Sequence, residues 1–284
     1  MATAARAWLE YQAEAGLEGL PLGDAAGELP GARAATARRD ARQQVAAAPA
    51  EPAAVTARPA PPAAAEPRAQ APAAGRPVAA ALSPAERRQR LAELGERIRG
   101  CTRCPLHAQR TQTVFARGSA AAELVFVGEG PGEEEDVQGL PFVGPAGLLL
   151  DRMIAGMGLG RDEIYVCNIV KCRPPGNRKP TAAEMEKCLP LLREQLALVQ
   201  PKVMVALGVT AAQGLLGTSV GITELRGKWR MFDGRIPVMP TFHPAYLLRL
   251  EPDRSRKRQV WEDLKQVMRR LGKTPPSPPR RERG

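Results

Sequence analysis

Apolar residues recur along this chain in two rhythms, and the switching between them predicts the fold. Leu91, Leu94 and Ile98 stand at helical spacing. Ahead of them Ser83-Pro84-Ala85-Glu86 forms a capping box with proline at the first helical position, and Gly100 closes the segment. A continuous apolar run follows, Leu124-Val125-Phe126-Val127, closed by the glycine-rich stretch GEGPGEEED. That combination predicts a buried parallel strand ending in a functional loop. Residues 146–157 predict a helix, and Ile164 to Val170 a second strand. Thr181-Ala182-Ala183-Glu184 is a second capping box. It opens a helix carrying Met185, Cys188, Leu189 and Leu192, which Pro190 should kink. Val203 to Leu207 predicts a third strand, Ala211 to Leu216 a short helix, and Ile236 to Met239 a fourth strand. A last helix carries Val260, Trp261, Leu264, Val267 and Leu271.

Strands alternating with helices imply a three-layer α/β/α fold around a central, mainly parallel four-stranded sheet. Active sites in such folds collect at the carboxyl ends of the strands. The glycine-rich loop, Asn168 and His243 all fall at such ends. We read the folded α/β domain as residues 83–272. A short amphipathic helix is expected within residues 1–30, from Trp8, Leu9, Tyr11 and Leu17. Residues 31–82 are Ala/Pro-rich with few large apolar side chains, so they read as a disordered linker that cannot offset its chain entropy. Residues 273–284 read as a disordered basic tail. No internal repeat is visible.

The overall charge changes the picture. The chain of 284 residues carries a formal charge of +11, which points to an anionic partner, most often nucleic acid. Aromatic residues are only 4% of the chain and histidines number two, so each well-placed ring counts for more. No window reaches the roughly 18 apolar residues that span a membrane, and the N-terminus is polar where a signal peptide needs its apolar run. A cytoplasmic location is expected, where cysteines are more often ligands than disulfides.

Four cysteines carry the clearest chemistry: Cys101-x-x-Cys104, then Cys172 and Cys188 far downstream. A close pair plus two distant thiols is the pattern of a zinc or iron–sulfur site, and spacing alone does not choose between them. The fifth, Cys167, precedes Asn168 in a strand and so faces the opposite way, as a core residue. The loop beginning Gly128-Glu129-Gly130-Pro131-Gly132 matches neither dinucleotide nor Walker phosphate motifs, and its acidic run would repel phosphate. One or two of those acids, held at a strand end, could orient a water. Phe142, in PFVGPAG, is a candidate stacking platform for a base. Asn168 offers a paired donor and acceptor to a base edge. Arg173, Arg178 and Lys179 lie in a rigid basic loop suited to phosphate contact. His243 opens the segment His243-Pro244-Ala245-Tyr246-Leu247-Leu248-Arg249, whose apolar and basic residues suit a groove.

Together GEGPGEEED, PFVGPAG, YVCNIVKCRPPGNRKPTAAE, FHPAYLLR and the four cysteines resemble the iron–sulfur family 4 enzymes of the uracil-DNA glycosylase superfamily, from about Leu91 to Leu271. The resemblance implies a 4Fe–4S cluster on Cys101, Cys104, Cys172 and Cys188, and so decides against zinc. It implies uracil-containing DNA as partner, with the uracil flipped out of the helix. Phe142 would stack on the base, Asn168 would read its edge, and Glu129 and Gly130 would contact it. His243 would donate to a uracil carbonyl oxygen, while Glu129 or Glu135 would hold the attacking water. Arg173, Arg178, Lys179, Tyr246, Leu247 and Arg249 would meet DNA. No histidine occurs in RPPGNRKPTAAE, the loop from which a neighbouring branch forms a covalent DNA adduct, so turnover is expected. A monomer is expected, with a protein partner recruited through the N-terminal extension. Two other readings compete: a non-catalytic DNA-binding module of the same fold, and a nucleotide-processing enzyme, which the missing phosphate motif disfavours.

Overall fold

The computed structural model describes residues 82–250 and 254–276. The N-terminal helix expected within residues 1–30, the linker expected at 31–82 up to residue 81, and the tail beyond residue 276 lie outside the described residues.

Six strands form one sheet. In chain order they are β1 (Arg117–Gly118), β2 (Leu124–Gly128), β3 (Ile164–Asn168), β4 (Val203–Leu207), β5 (Arg230–Phe232) and β6 (Ile236–Thr241). Across the sheet they run β1-β3-β2-β4-β6-β5. The inner four, β3, β2, β4 and β6, are parallel. They are the four strands expected from the apolar runs. Two short edge strands, β1 against β3 and β5 against β6, pair antiparallel and extend that sheet. Both are too short and too polar to leave a periodic signal: β1 has two residues, and Arg230 and Met231 of β5 are exposed.

Alternation along each strand builds the three layers. Val125 and Val127 of β2, with Cys167, Met204 and Ala206, face one core. That core is closed by Leu91, Leu94 and Ile98 of α1 (Pro84–Arg99) and by Leu191, Leu192 and Leu196 of the long helix after β3. Leu124 and Phe126, with Val166 and Val205, face the other. That side is closed by residues of two further helices, Leu149, Leu150 and Met153, and Val260, Trp261 and Leu264. Residues one apart therefore serve opposite cores, as strand geometry requires.

Both capping boxes form. At α1 the Ser83 hydroxyl accepts from Glu86 N at 3.2 Å, and the Glu86 carboxylate accepts from Ser83 N at 2.8 Å. At the helix after β3 Thr181 and Glu184 repeat the exchange. The acidic run expected as loop is in part helical: α2 (Glu133–Gln138) follows directly on Gly132. Four acids in a first helical turn sit against the positive end of the helix dipole, which offsets their mutual repulsion. Next come α3 (Pro145–Gly156) and α4 (Ala182–Val199), the latter running on through exposed Pro190. The remaining helices are α5 (Val209–Leu216), α6 (Ile222–Leu225), α7 (Pro244–Arg249) and α8 (Ser255–Arg270).

Candidate active site and thiol cavity

The carboxyl ends of the adjacent strands β3 and β2, and of β6 one strand beyond β4, lie along the same edge of the sheet and bring three separate sequence segments together. Gly128 ends β2 opposite Asn168, the last residue of β3. A Cβ at Gly128 would lie 2.6 Å from Phe142 Cζ and closer still to Asn168 Oδ1. Glycine is required here because an aromatic ring and an amide both rest on its backbone. The Phe142 ring also stacks on His243, with centroids 5.7 Å apart and planes 29° from parallel. Phe142 adopts φ 57°, the left-handed region that a bulky residue avoids. Such strain persists where surrounding contacts over-determine it, and it concentrates at functional positions.

Glu135 supplies those contacts. Its Oε1 accepts from Val143 N and Gly144 N, both at 3.0 Å, and its Oε2 accepts from Gly132 N at 3.1 Å. One carboxylate therefore ties the glycine-rich turn to the loop that carries Phe142. Glu129 is different. It follows the strand end, is half-buried, and its carboxylate makes no hydrogen bond or ion pair among the described residues. Gly130 lies beside it, with Val170 Cγ2 2.7 Å from where a Cβ would be.

Asn168 is 2% exposed, and its Oδ1 has no hydrogen-bond partner. A buried acceptor left unpaired costs about 1–3 kcal/mol, so it calls for a donor from outside the protein. His243 is the N-cap of α7, where its Nδ1 accepts from Ala245 N at 3.1 Å. With Nδ1 occupied as an acceptor, the neutral ring carries its proton on Nε2. Burial, and secondarily the Arg249 charge, pull the His243 pKa down to about 4 against the pull of Glu135. The ring is then neutral at neutral pH and remains a donor. Gly208, at φ 88°, leaves room for it: a Cβ there would lie 2.9 Å from His243 Cβ.

The segment around His243 is braced from behind. Thr241 Oγ1 donates to buried Asp263 at 2.6 Å, and Arg226 Nη2 pairs with the same carboxylate at 2.6 Å. Burial raises the Asp263 pKa, while Thr241 and Arg226 oppose it. The Phe242 ring lies between the guanidiniums of Arg226 and Arg256, at 5.4 and 5.3 Å from its centroid.

Cys101, Cys104, Cys172 and Cys188 all line one small cavity at the junction of α1, α4 and the segment after β3. All four are free thiols. Among the described residues, no three His, Cys, Asp or Glu side chains are placed to hold a single metal ion. Burial pushes the Cys172 thiol up to about 11, opposed by Arg110, and also raises Cys188. Thiolates in this cavity therefore need a cationic partner. Arg110 Nη1 donates to Cys172 Sγ at 3.1 Å and to the Cys101 carbonyl at 2.7 Å, and Nη2 donates to the Arg99 carbonyl. Cys167 is fully buried in the core, facing away from Asn168 as expected.

Residues 115–265 match the uracil DNA glycosylase superfamily. The chain belongs to that superfamily. It is 47% identical over 182 residues to a type-4 uracil-DNA glycosylase of Thermotoga maritima, covering 63% of this chain and 94% of that protein. It is 39% identical to the type-4 uracil-DNA glycosylase of Archaeoglobus fulgidus, with 66% and 96% covered. A third type-4 uracil-DNA glycosylase, from Sulfurisphaera tokodaii, is 40% identical, with 65% and 86% covered.

In this uracil DNA glycosylase superfamily member the expected DNA-contacting residues occupy unlike settings. Arg173 donates to Asn177 Oδ1 at 2.8 Å and pairs with Glu133 at 3.3 Å. Arg178 is gripped by Glu184 through two hydrogen bonds, 2.9 and 2.7 Å, so its guanidinium braces the loop. Lys179 and Arg249 are exposed, and Tyr246 is half-buried against Phe242. Leu247 departs from expectation: it is 1% exposed. The inward face of α7 places it in the core, with half-buried Leu248 beside it. Arg110 and Lys171 were missed because their partners lie far away in sequence or on the backbone, where no spacing rule applies.

Proposed function

We propose that this chain is a uracil-DNA glycosylase that hydrolyses the bond between uracil and deoxyribose in DNA, leaving an abasic site for base-excision repair. The observation that carries the reading is the unpaired Asn168 Oδ1 beneath a stacked Phe142–His243 pair. A uracil flipped from the duplex stacks on Phe142 and offers its N3–H to that oxygen. Cytosine presents an acceptor at N3, which leaves the buried Asn168 oxygen unpaired, so it is rejected.

Catalysis follows from charge. As the glycosidic bond breaks, the electron pair moves onto the uracil ring and the sugar becomes oxocarbenium-like. Nε2–H of neutral His243 donates to a uracil carbonyl oxygen where that charge develops. Water adds to C1′, loses its proton, and the released uracil is protonated from solvent. Glu129, whose carboxylate is uncommitted, is favoured to hold the water. Glu135 stays a second candidate, with its carboxylate already shared among three backbone N–H groups. Gly130 lets the base approach the backbone.

Cys101, Cys104, Cys172 and Cys188 are assigned to a 4Fe–4S cluster. The four line one cavity, and the resemblance to the iron–sulfur family 4 enzymes favours the cluster over zinc. When bound, the cluster supplies a cross-link between α1 and α4. Arg173, Lys179, Tyr246, Leu248 and Arg249 form the proposed DNA surface, with Arg178 as its brace. No helix among the described residues is long and apolar enough to cross a membrane. We assign the protein to the cytoplasm as a monomer, with the N-terminal extension as the place for a protein partner.

The test is an oligonucleotide carrying one uracil, scored for free uracil and alkali-labile cleavage beside His243→Ala. Cleavage by the parent and strong loss in the variant support the reading. Retained DNA binding without cleavage replaces it with a non-catalytic module. A stable protein–DNA adduct would refute turnover.

A further inference from the structure

Lys171 is among the most completely buried large side chains of the described residues, at 2% exposure. A buried lysine is costly unless its charge is compensated. No carboxylate among the described residues forms an ion pair with it. An ammonium has three N–H donors, and the structure gives Lys171 Nζ one acceptor, the Asn168 carbonyl at 2.8 Å. The same residue lines the cysteine cavity. Its charge and its backbone N–H both favour the Cys188 thiolate. Its carbonyl accepts from Val114 N at 2.8 Å, which fixes the segment from the other side. Lys171 thus touches both halves of the molecule's chemistry: the thiol cavity, and the residue whose amide lies in the base pocket.

We propose that Lys171 is a positioning residue that couples the group held by the four cysteines to the uracil pocket. Its ammonium is the counter-charge for the thiolate-ligated group, and its hydrogen bond holds the Asn168 carbonyl, so that occupancy of the cavity fixes the amide that reads uracil. The proposal rests on the assignments of the cysteines and of Asn168 given above. It gives the cavity a role beyond stapling helices. Without an anionic group beside it, a buried ammonium with one acceptor is drawn towards water, and the Asn168 backbone loses its anchor.

The test uses full-length protein purified with its iron and compares Lys171→Met with Lys171→Gln. Both remove the charge, and only glutamine can still donate to the Asn168 carbonyl. Removing a positive charge beside a cluster disfavours its reduction. Both variants are therefore expected to show a reduction potential shifted to the negative side, read by voltammetry or by the reduced-cluster signal in electron paramagnetic resonance. Bleaching of the cluster chromophore by chelator is expected to accelerate by about tenfold or more, as for other residues bordering metal ligands. Only Lys171→Met should also lose uracil excision by about tenfold in kcat, with Lys171→Gln close to the parent, since one misplaced contact costs rate.

If neither variant accumulates loaded protein, Lys171→Arg decides. Loading by the charge-retaining variant alone supports the proposal, and equal failure of all three overturns it. A loaded parent whose Met and Gln variants keep its potential and bleaching rate also overturns it, leaving the cysteine assignment intact. A parent that holds neither iron nor sulfide removes that assignment and this proposal together.

Discussion

The ring of Phe142 lies stacked on that of His243, 5.7 Å between centroids, although 101 positions separate them in the chain. The same ring presses on Gly128, and Gly128 in turn abuts Asn168 Oδ1. Phe142, Asn168 and His243, the proposed platform, edge reader and proton donor, therefore form one packed unit in which no member moves alone.

Phe142→Ala removes the platform and releases the His243 ring. Stacking on an aromatic is worth about 1–3 kcal/mol per base, so kcat/KM for a uracil oligonucleotide should fall roughly 10- to 100-fold. Steady-state kinetics measure it.

Gly128→Ala should be at least as harmful with less chemistry lost. The added methyl cannot coexist with the Phe142 ring and the Asn168 amide where they now lie. A displacement near 1 Å costs about 100-fold in rate. Activity should collapse while circular dichroism stays native, and near-parental activity would show that the pocket relaxes freely.

Exchange of acids separates two roles. Glu135→Ala strips three backbone N–H groups of their acceptor. At about 1–3 kcal/mol for such losses, Tm should fall by roughly 2–10 °C as activity drops. Glu129→Gln should leave Tm unchanged and lower kcat alone. Calorimetry beside kinetics distinguishes them.

The depressed His243 pKa has a definite sign. Its folded value of about 4 lies below the ordinary 6.5, so between those values the unfolded chain binds the extra proton. This residue's contribution to stability is whole above pH 6.5 and lost as pH falls towards 4. Activity of the free enzyme should stay level from pH 8 to about 5, as far as His243 governs it. Nitrogen NMR of labelled histidine reads the pKa directly, and titration near 6.5 would contradict the neutral ring.

Much of this was legible in the chain because local rules suffice for it. Both capping boxes and all four parallel strands follow from patterns a few residues long. Asn168 stood out because an amide closes an otherwise apolar strand. The edge strands were invisible because pairs of two or three residues carry no periodicity. The burial of Leu247 was not legible because a motif shows which residues are together and not which side of a short helix meets the core. The part of Glu135 could not be read because its partners are backbone groups brought by a second loop. The brace of Arg226, Thr241 and Asp263 joins three distant segments through buried charge.

The four thiols reach their cavity from either side of the first three strands. Cys101 and Cys104 precede β1, whereas Cys172 and Cys188 follow β3. Between them the chain must lay down β1, β2 and β3 and pair β2 with β3 in parallel, a long-range closure that costs chain entropy. The cavity therefore closes only once these distant segments have met. Any ion or cluster captured there acts as a latch on that closure, holding together segments that the chain alone keeps far apart.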